Sequence, residues 1–260
     1  MTPALVSAVA RSLPAFIFLV AAIFVWETAT RLFHVPEWLL PAPHVVASSF
    51  VRDWGSWVRD TGITMEESVL GFLTGSLLGI GVGILFTHSR PLERALYPYV
   101  IALKTIPLVA LAPILAVWFS NHLVSNTIMG AVVTFFPCVV NTIMGLRSPS
   151  DETVDLMRSL SASRAQIFWK LRFPAALPGI FAALKITATL AVIGAIVAEM
   201  TAPVSGLGCR LQLAEERTDM VGMVIAVILA SLAGIVFFQF IVLLERRFLY
   251  WLPRSATWEA

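Results

Sequence analysis

The chain has 260 residues, of which 58% are hydrophobic and 13% charged, and its mean hydropathy is +0.85. Soluble domains contain roughly 45–50% apolar residues, so this composition excludes an ordinary soluble protein and predicts that most of the chain lies in lipid. The net charge is only +2, and no basic run is interleaved with aromatic residues, which excludes nucleic-acid binding as a main function. Cys138 lies in an apolar segment and Cys209 in a polar one, which argues against a disulfide framework or a metal site.

The first apolar run, LPAFIFLVAAIFVW at 13–26, follows Arg11 and has the outline of a signal peptide. No small-residue cleavage site follows it, and the run continues to membrane-spanning length, so we predict a retained span. Because a helix needs about 20 mainly apolar residues to cross the hydrocarbon core, the sequence predicts an all-α polytopic membrane protein with about six spans. They cover 13–33, 65–88, 96–118, 124–146, 174–200 and 220–244.

Prolines at 107, 113 and 137 fall inside these windows. Membrane helices tolerate proline where neighbouring groups satisfy the freed carbonyls. We interpret the three prolines as bends within spans and not as ends.

Basic residues fix the predicted orientation, because loops on the cytoplasmic side carry more of them. With an interior N-terminus, eleven lie inside: Arg11, Arg90, Arg94, Arg147, Arg158, Arg164, Lys170, Arg172, Arg246, Arg247 and Arg254. Five lie outside: Arg31, Arg52, Arg59, Arg210 and Arg217. Both termini are therefore expected in the cytoplasm.

The segment PAPHVVASSFVRDWGSWVRD, 41–60, lies outside between the first two spans. Its apolar residues recur at near-helical spacing: Val45, Val46, Phe50, Trp54, Trp57 and Val58. This spacing is typical of an amphipathic helix resting at the membrane surface. A simple connector is an equally good interpretation.

Glycines recur every four residues in the second span, at Gly71, Gly75, Gly79 and Gly83. Such spacing leaves bare backbone on one helix face and lets another helix approach closely. The pattern favours packing within the chain, and a moving or dimer-proximal contact stays open.

The longest predicted cytoplasmic loop covers 147–174, and its pattern predicts two short helices. Ser150 is placed to cap the first, with Asp151, Glu152 and Asp155 in its opening turns. Ser163 and Gln166 have capping-box spacing and start the second helix, which Pro174 is expected to stop. A basic amphipathic hairpin of this kind could lie against anionic lipid or dock a soluble partner.

The loop resembles the coupling motif of ATP-binding-cassette importer permeases, in which Glu-Ala-Ala is followed at fixed spacing by Gly and by an apolar-x-Leu-Pro end. Asp155, Leu156 and Met157 stand at the first three positions, Ser161 at the glycine position, and 171–174 at the end. The resemblance implies that the coupling residues are Asp155, Leu156, Met157, Arg158, Ser159, Leu160, Ser161, Ala162, Ser163 and Arg164.

Further stretches resemble the nitrate, sulfonate and taurine branch of these permeases over about 36–250. They include LLPAPHVV, SVLGFLTGSLLGIGVG, LKTIPLVALAPILAVWF, SASRAQIFWKLRFPAALPGIFAALKI, GAIVAEM and SGLGCRL. Glu67, where the branch commonly has a basic residue, and Ser120, where glycine is expected, depart from the pattern.

The resemblance implies a type I importer permease in the bacterial inner membrane, with an N-terminal segment (1–62), a transmembrane domain (63–250) and a tail (251–260). It also implies four kinds of partner: a second permease copy, two ATPase subunits, a periplasmic or lipid-anchored solute-binding protein, and the lipid bilayer. The sequence has no G-x-x-x-x-G-K-[ST] run, so ATP and Mg²⁺ are expected on the partner ATPase.

Few ionisable residues lie deep in the predicted spans. Lys104 and Glu199 line the translocation path, form a structural ion pair or snorkel to the interface, whereas Glu27 is expected at the interface. Phe135 and Phe136 beside Pro137 are packing residues or a hydrophobic gate. Polar side chains that face the solute or bond to their own helix are Asn141, Thr142, Thr187 and Thr189.

The predicted function is a non-enzymatic permease that alternates access to a small polar solute. The resemblance leans toward riboflavin or a thiamine-pyrimidine precursor, with sulfonate-like or nitrate-like anions as the other class. A self-powered secondary transporter or channel is the alternative, although we find no convincing inverted repeats. An intramembrane enzyme is disfavoured, because no H-E-x-x-H run or serine–histidine arrangement occurs in the spans.

Overall fold

A computed structural model describes the backbone of residues 3–251 and the side chains of 13–251 except Ala15. The predicted tail, 251–260, lies outside the described residues apart from Trp251. All regular elements within the described range are helical. They are α1 (Pro3–Leu32), α2 (Pro43–Arg52), α3 (Trp54–His88), α4 (Arg90–Thr105), α5 (Leu108–Trp118), α6 (His122–Leu146), α7 (Asp151–Ser159), α8 (Arg164–Ile167), a π-helical turn (Phe168–Arg172), α9 (Phe173–Thr201), α10 (Leu207–Glu216) and α11 (Met220–Phe248).

Four described helices are long and apolar enough to cross a membrane: α3, α6, α11 and the continuous helix from Arg164 to Thr201. The bent pair α4 and α5 supplies a fifth candidate span. The first predicted span falls in α1, where most described side chains from Leu13 to Val25 are exposed. The all-α polytopic architecture is thus confirmed.

The prediction for Pro107, a bend within a span and not an end, is right about the bend and wrong about the end. α4 ends at Thr105, α5 begins at Leu108, and the two helices meet at 99°. Ile106 has an extended backbone, with φ −67° and ψ 124°, because the ring of a proline disfavours helical geometry at the residue before it. Pro113 and Pro137 do lie inside helices, as predicted.

The glycine face of α3 packs against α6 within the chain. A Cβ added at Gly79 would lie 2.7 Å from Cys138 Cβ, and one at Gly83 would lie 2.7 Å from Thr142 Cβ. At Gly71 the obstacle is backbone, because the added atom would lie 2.8 Å from Gly130 Cα. Only bare backbone fits at these positions, so the predicted packing within the chain is confirmed.

α9 and α11 complete the core. Small residues on α9 bring it equally close to α6: Gly194 lies against Gly130, and Ala176 against Gly145. Phe72 of α3 meets Phe237 of α11 edge to face, with ring centroids 4.9 Å apart. The result is a four-helix interior whose ends carry the remaining short helices.

The segment 41–60 is partly the predicted amphipathic helix and partly the start of a candidate span. α2 ends at Arg52, and Trp54 and Trp57 already belong to α3. Val46 and Trp57 are buried together with residues of α10 and α11. The predicted domain boundary at 62 and 63 falls inside α3.

Candidate functional site

The loop between α6 and α9 begins with a capped helix. Ser150 precedes α7, and its Oγ accepts a hydrogen bond from the Thr153 amide at 3.4 Å. Asp151 and Glu152 occupy the first turn, where carboxylates interact favourably with the helix dipole. The cap and both acids agree with the sequence prediction.

α7 ends in a tight left-handed turn at Ser161, the residue at the glycine position of the coupling motif. Ser161 has φ of 57°. Its amide donates to the Arg158 carbonyl at 2.9 Å, and the Ala162 amide donates to the Met157 carbonyl at 3.0 Å. These two bonds form a Schellman motif, in which the left-handed residue is usually glycine. Serine adopts the same turn at a conformational cost of roughly 1 kcal/mol.

The second short helix starts at the predicted capping box. The Gln166 amide donates to Ser163 Oγ at 3.3 Å, and the Ser163 amide donates to Gln166 Oε1 at 2.7 Å. Both orphan amides at the helix start are satisfied reciprocally. The turn between the two helices is therefore fixed at both sides by local hydrogen bonds.

The predicted stop at Pro174 is wrong, because the helix runs on from Arg164 to Thr201. A π-helical turn precedes the proline, and the Phe173 amide donates to the carbonyl of Phe168, five residues earlier. The hydrogen-bond ladder thus changes register where Pro174 offers no amide. The loop is consequently rigidly joined to the α9 span.

The ten predicted coupling residues form one exposed surface. Eight are exposed, and Met157 and Ala162 are half-buried. Leu156 and Leu160 are 60% and 72% exposed. Asp155 and Arg158 bond to each other at 2.9 Å beside them.

The loop is attached to the body of the protein by apolar contacts. Val154 and Ile167 are buried. The ring of Phe168 meets His88 at the end of α3, with centroids 5.1 Å apart. A force applied to the exposed surface would therefore reach both α3 and α9. Contact of this surface with an ATPase stays a prediction.

Glu199 is fully buried at the opposite end of α9. Its Oε1 accepts from Thr64 Oγ1 at 2.7 Å, and its Oε2 accepts from the Gly208 amide at 2.6 Å. Thr64 Oγ1 in turn accepts from the Leu207 amide at 2.8 Å. Gly206, with φ of 96°, packs directly on the carboxylate, where a side chain has no room. Glu199 therefore fastens the start of α10 to α3.

Glu67 lies beside Glu199 and is 4% exposed. Its Oε1 accepts from Asn126 Nδ2 at 2.9 Å, whereas Oε2 has no hydrogen-bond partner among the described residues. From the sequence, Glu67 was noted only as a departure from the family pattern. Its position as a second acidic residue inside a predicted span could have predicted the pair.

Lys104 and Glu199 are not partners in any ion pair of the described residues. Lys104 is exposed, and its Nζ lies 4.7 Å from the centroid of the half-buried Phe136 ring. Phe135 packs in the apolar cluster around Phe86 and Val139. The predicted path residues thus lie in two separate places. Lys104, Phe135 and Phe136 lie together, whereas Glu199 lies at the start of α10.

The other polar side chains in the spans mostly bond to their own helices. Asn141 Nδ2 donates to the Pro137 carbonyl at 2.9 Å, and Thr187 and Thr189 donate to carbonyls three or four residues earlier. Thr142 Oγ1 is buried without a partner among the described residues. A role for Asn141 toward a solute stays a prediction.

Two ionic clusters in the structure were not predicted from the sequence. Lys185 Nζ and Glu245 Oε2 lie 2.9 Å apart, nearly buried, and join α9 to α11. A lysine deep in one span and an acid in the basic end of another were the available signals.

At the other end of the bundle, Arg210 binds Asp60 at 2.6 Å and Asp53 at 3.0 Å, and its guanidinium lies 4.3 Å from the Trp57 ring centroid. The hydrogen bond from Ser56, and then the one from Arg210, hold the pKa of Asp53 below its usual value. This cluster fastens α10 to the beginning of α3.

Comparison with known proteins matches residues 71–250 to the family described as binding-protein-dependent transport system inner membrane component. The chain is 32% identical over 242 residues to the formylaminopyrimidine transport permease protein ThiX of Halalkalibacterium halodurans, covering 93% of this chain and 96% of that one. It is 30% identical to the riboflavin transport system permease protein RibX of Chloroflexus aurantiacus, with 87% and 85% covered. It is also 30% identical to the putative aliphatic sulfonates transport permease protein SsuC of Bacillus subtilis, with 88% and 84% covered.

Solved structures of similar fold include an amino acid ABC transporter with histidines, at TM-score 0.64 and 17% identity, covering 76% of this chain and 97% of that one. An inward-facing MetNI methionine ABC transporter matches at TM-score 0.58 and 20% identity, with 71% and 94% covered. At these identities the structures support the fold alone.

Proposed function

The chain belongs to the family of binding-protein-dependent transport system inner membrane components, and on that premise we propose that it carries a small organic nutrient through the membrane for an ATP-driven importer. The match of nearly its whole length to permease subunits of known transporters carries this proposal. The chain itself performs no chemistry on the solute.

Energy enters through the exposed loop surface, 155–164. A partner ATPase binds ATP and Mg²⁺, and each of two ATPase subunits receives one loop from one permease copy. The capped turn and the continuous helix into α9 support this role, because a rigid connection transmits a rigid-body movement of the partner to the spans. The permease copies form a homodimer in the inner membrane, with both termini in the cytoplasm.

The solute is a riboflavin-like or thiamine-pyrimidine-like nutrient, delivered by a periplasmic or lipid-anchored binding protein. The names of two relatives support this class, and the name of a third keeps alkyl sulfonates as the second candidate. Lys104, Phe135 and Phe136 are proposed to border the path, because a cation over an aromatic face suits a planar or anionic solute. Asn141 and Glu199 stay weaker candidates, since their bonds are made within the chain.

The ATPase partnership is tested by affinity purification in mild detergent. Replacing Asp155, Met157 and Arg158 together by alanine is expected to release the ATPase. The matched control replaces Leu213, Glu215 and Arg217, another apolar, acidic and basic set, on α10 and just after it at the opposite end of the bundle. Retention of the ATPase by the first variant, or its loss from both, would contradict the proposal.

The solute class is tested by measuring uptake of a riboflavin-like or thiamine-pyrimidine-like nutrient. The cells have the chromosomal gene deleted and carry a copy on a plasmid. We expect unlabelled riboflavin or formylaminopyrimidine to reduce this uptake by competition, and an alkyl sulfonate to leave it unchanged. Uptake that persists when the partner ATPase is inactive would instead favour the self-powered transporter.

A further inference from the structure

A cavity of about 480 Å³ lies between the end of α3 and the inner side of the α7–α8 loop. Its basic lining is supplied by Arg158, Arg164 and Arg172, with His88 at the α3 side. No acidic residue in the part of the chain that the structure describes lines it. Three guanidinium groups that share one cavity repel each other, so an anion bound there would relieve that repulsion.

The positive charge of the cavity is mostly uncompensated. Arg158 bonds to Asp155 at 2.9 Å, but Arg164 and Arg172 take part in no salt bridge or side-chain hydrogen bond among the described residues. Arginine presents its donors in a planar fork that matches the oxygens of a phosphate group. The free donors of Arg164 and Arg172 therefore favour a phosphate over a simple halide.

The remaining walls are apolar and aromatic. Val154, Ile167 and Phe168 line the cavity, and Phe168 meets Trp169 with ring centroids 5.0 Å apart. Trp169 is 63% exposed, next to the point where the α9 span begins. Exposed tryptophan at the end of a span is typical of the headgroup level of a membrane.

We propose that this cavity binds the phosphate group of an anionic phospholipid from the adjacent leaflet. The same chemistry would suit free phosphate, but the cavity lies at the ends of the apolar helices α3 and α9, close to the exposed Trp169, and a lipid also satisfies the apolar and aromatic walls. The bound headgroup neutralises Arg164 and Arg172 and fixes the loop against α3 from the membrane side. The site shares Arg158 and Arg164 with the proposed ATPase surface, 155–164, but the exposed Leu156 and Leu160 do not line it.

The test is native mass spectrometry of the full transporter after delipidation and addition of phosphatidylglycerol or phosphatidylcholine. The variant Arg164→Gln with Arg172→Gln is compared with Arg246→Gln and Arg247→Gln, which removes the same charge from the end of α11. We expect retained phosphatidylglycerol to fall roughly thirtyfold in the first variant and less than twofold in the second. Phosphatidylcholine is expected to bind weakly to all three proteins.

Equal losses in both variants would overturn the proposal in favour of diffuse surface charge. Displacement of phosphatidylglycerol by millimolar inorganic phosphate would assign the cavity to a soluble anion. Binding by the permease alone but not by the assembled transporter would assign it to acidic residues of the ATPase. If the double variant does not fold or does not retain the ATPase, Arg172→Gln against Arg247→Gln repeats the comparison outside the proposed ATPase surface, with a loss of roughly fivefold expected.

Discussion

The α6–α9 loop and the α3–α6 contact are held in place by different means. In the loop, Ser150, Ser161 and Ser163 fix the chain through hydrogen bonds to residues three or four positions away. In the contact, Gly75 and Gly79 have no side chain, and the geometry comes from the backbone of another helix.

The difference suits the two regions to different tasks. A locally specified loop keeps its shape while it is exposed, as docking of a partner would require. A glycine-packed interior has little room for adjustment, so its helices move together as one body. Variants in the two regions should therefore differ in how much stability they lose and in how far the change spreads through the structure.

The largest effect is expected for Gly75→Val in the core. The new side chain would overlap Ala131 and Thr134 of α6, and overpacking of this severity costs about 3 kcal/mol or more. Loss of the monodisperse peak in fluorescence-detected size exclusion is the measurement. Gly81→Val is the matched control, because nothing lies within 4 Å of a Cβ at Gly81. Similar behaviour of the two variants would contradict the packing.

The next effect is expected for Glu199→Ala, which leaves Thr64 and the Gly208 amide without their acceptor. The loss of two hydrogen bonds to a buried carboxyl group should lower the free energy of unfolding by about 2–3 kcal/mol. The thermal midpoint reports it, and Glu216→Ala on the exposed face of α10 is the control. An unchanged midpoint in Glu199→Ala would show that the carboxylate does not fasten α10 to α3.

A smaller and local effect is expected for Ser163→Ala. Removal of this cap should destabilise the start of α8 by about 1 kcal/mol and speed amide exchange there about fivefold, while the core is unchanged. Ser159→Ala serves as the control, since Ser159 Oγ only donates within its own helix. A change that spreads into α3 and α6 would mean that the loop is not specified locally.

The smallest expected effect is a gain in local stability, whereas the variants above lose stability. Ser161→Gly should slow exchange of the loop amides, because glycine adopts the left-handed conformation without the roughly 1 kcal/mol cost that serine bears. Ser161→Ala is expected to give no such gain. Faster exchange in the glycine variant would indicate that its greater freedom in the unfolded loop prevails.

The same division explains which features could be predicted from the sequence. Ser150 and Ser163 predict the helices that begin directly after them, and the glycine repeat predicts a close helix contact. The continuation through Pro174 depends on a change of hydrogen-bond register that no residue type marks, and Pro107 favours a helix break at Ile106 without setting the 99° angle. The partners of Glu199 lie 135 residues away in the case of Thr64, so no local pattern reveals them.

The most direct test of the central claim, that a partner ATPase drives this permease through the loop, is uptake into proteoliposomes with and without that partner. We expect accumulation against a gradient only when the ATPase, ATP and the binding protein are all present, and none for the Asp155, Met157 and Arg158 triple alanine variant. Accumulation by the chain alone, without nucleotide, would contradict the claim.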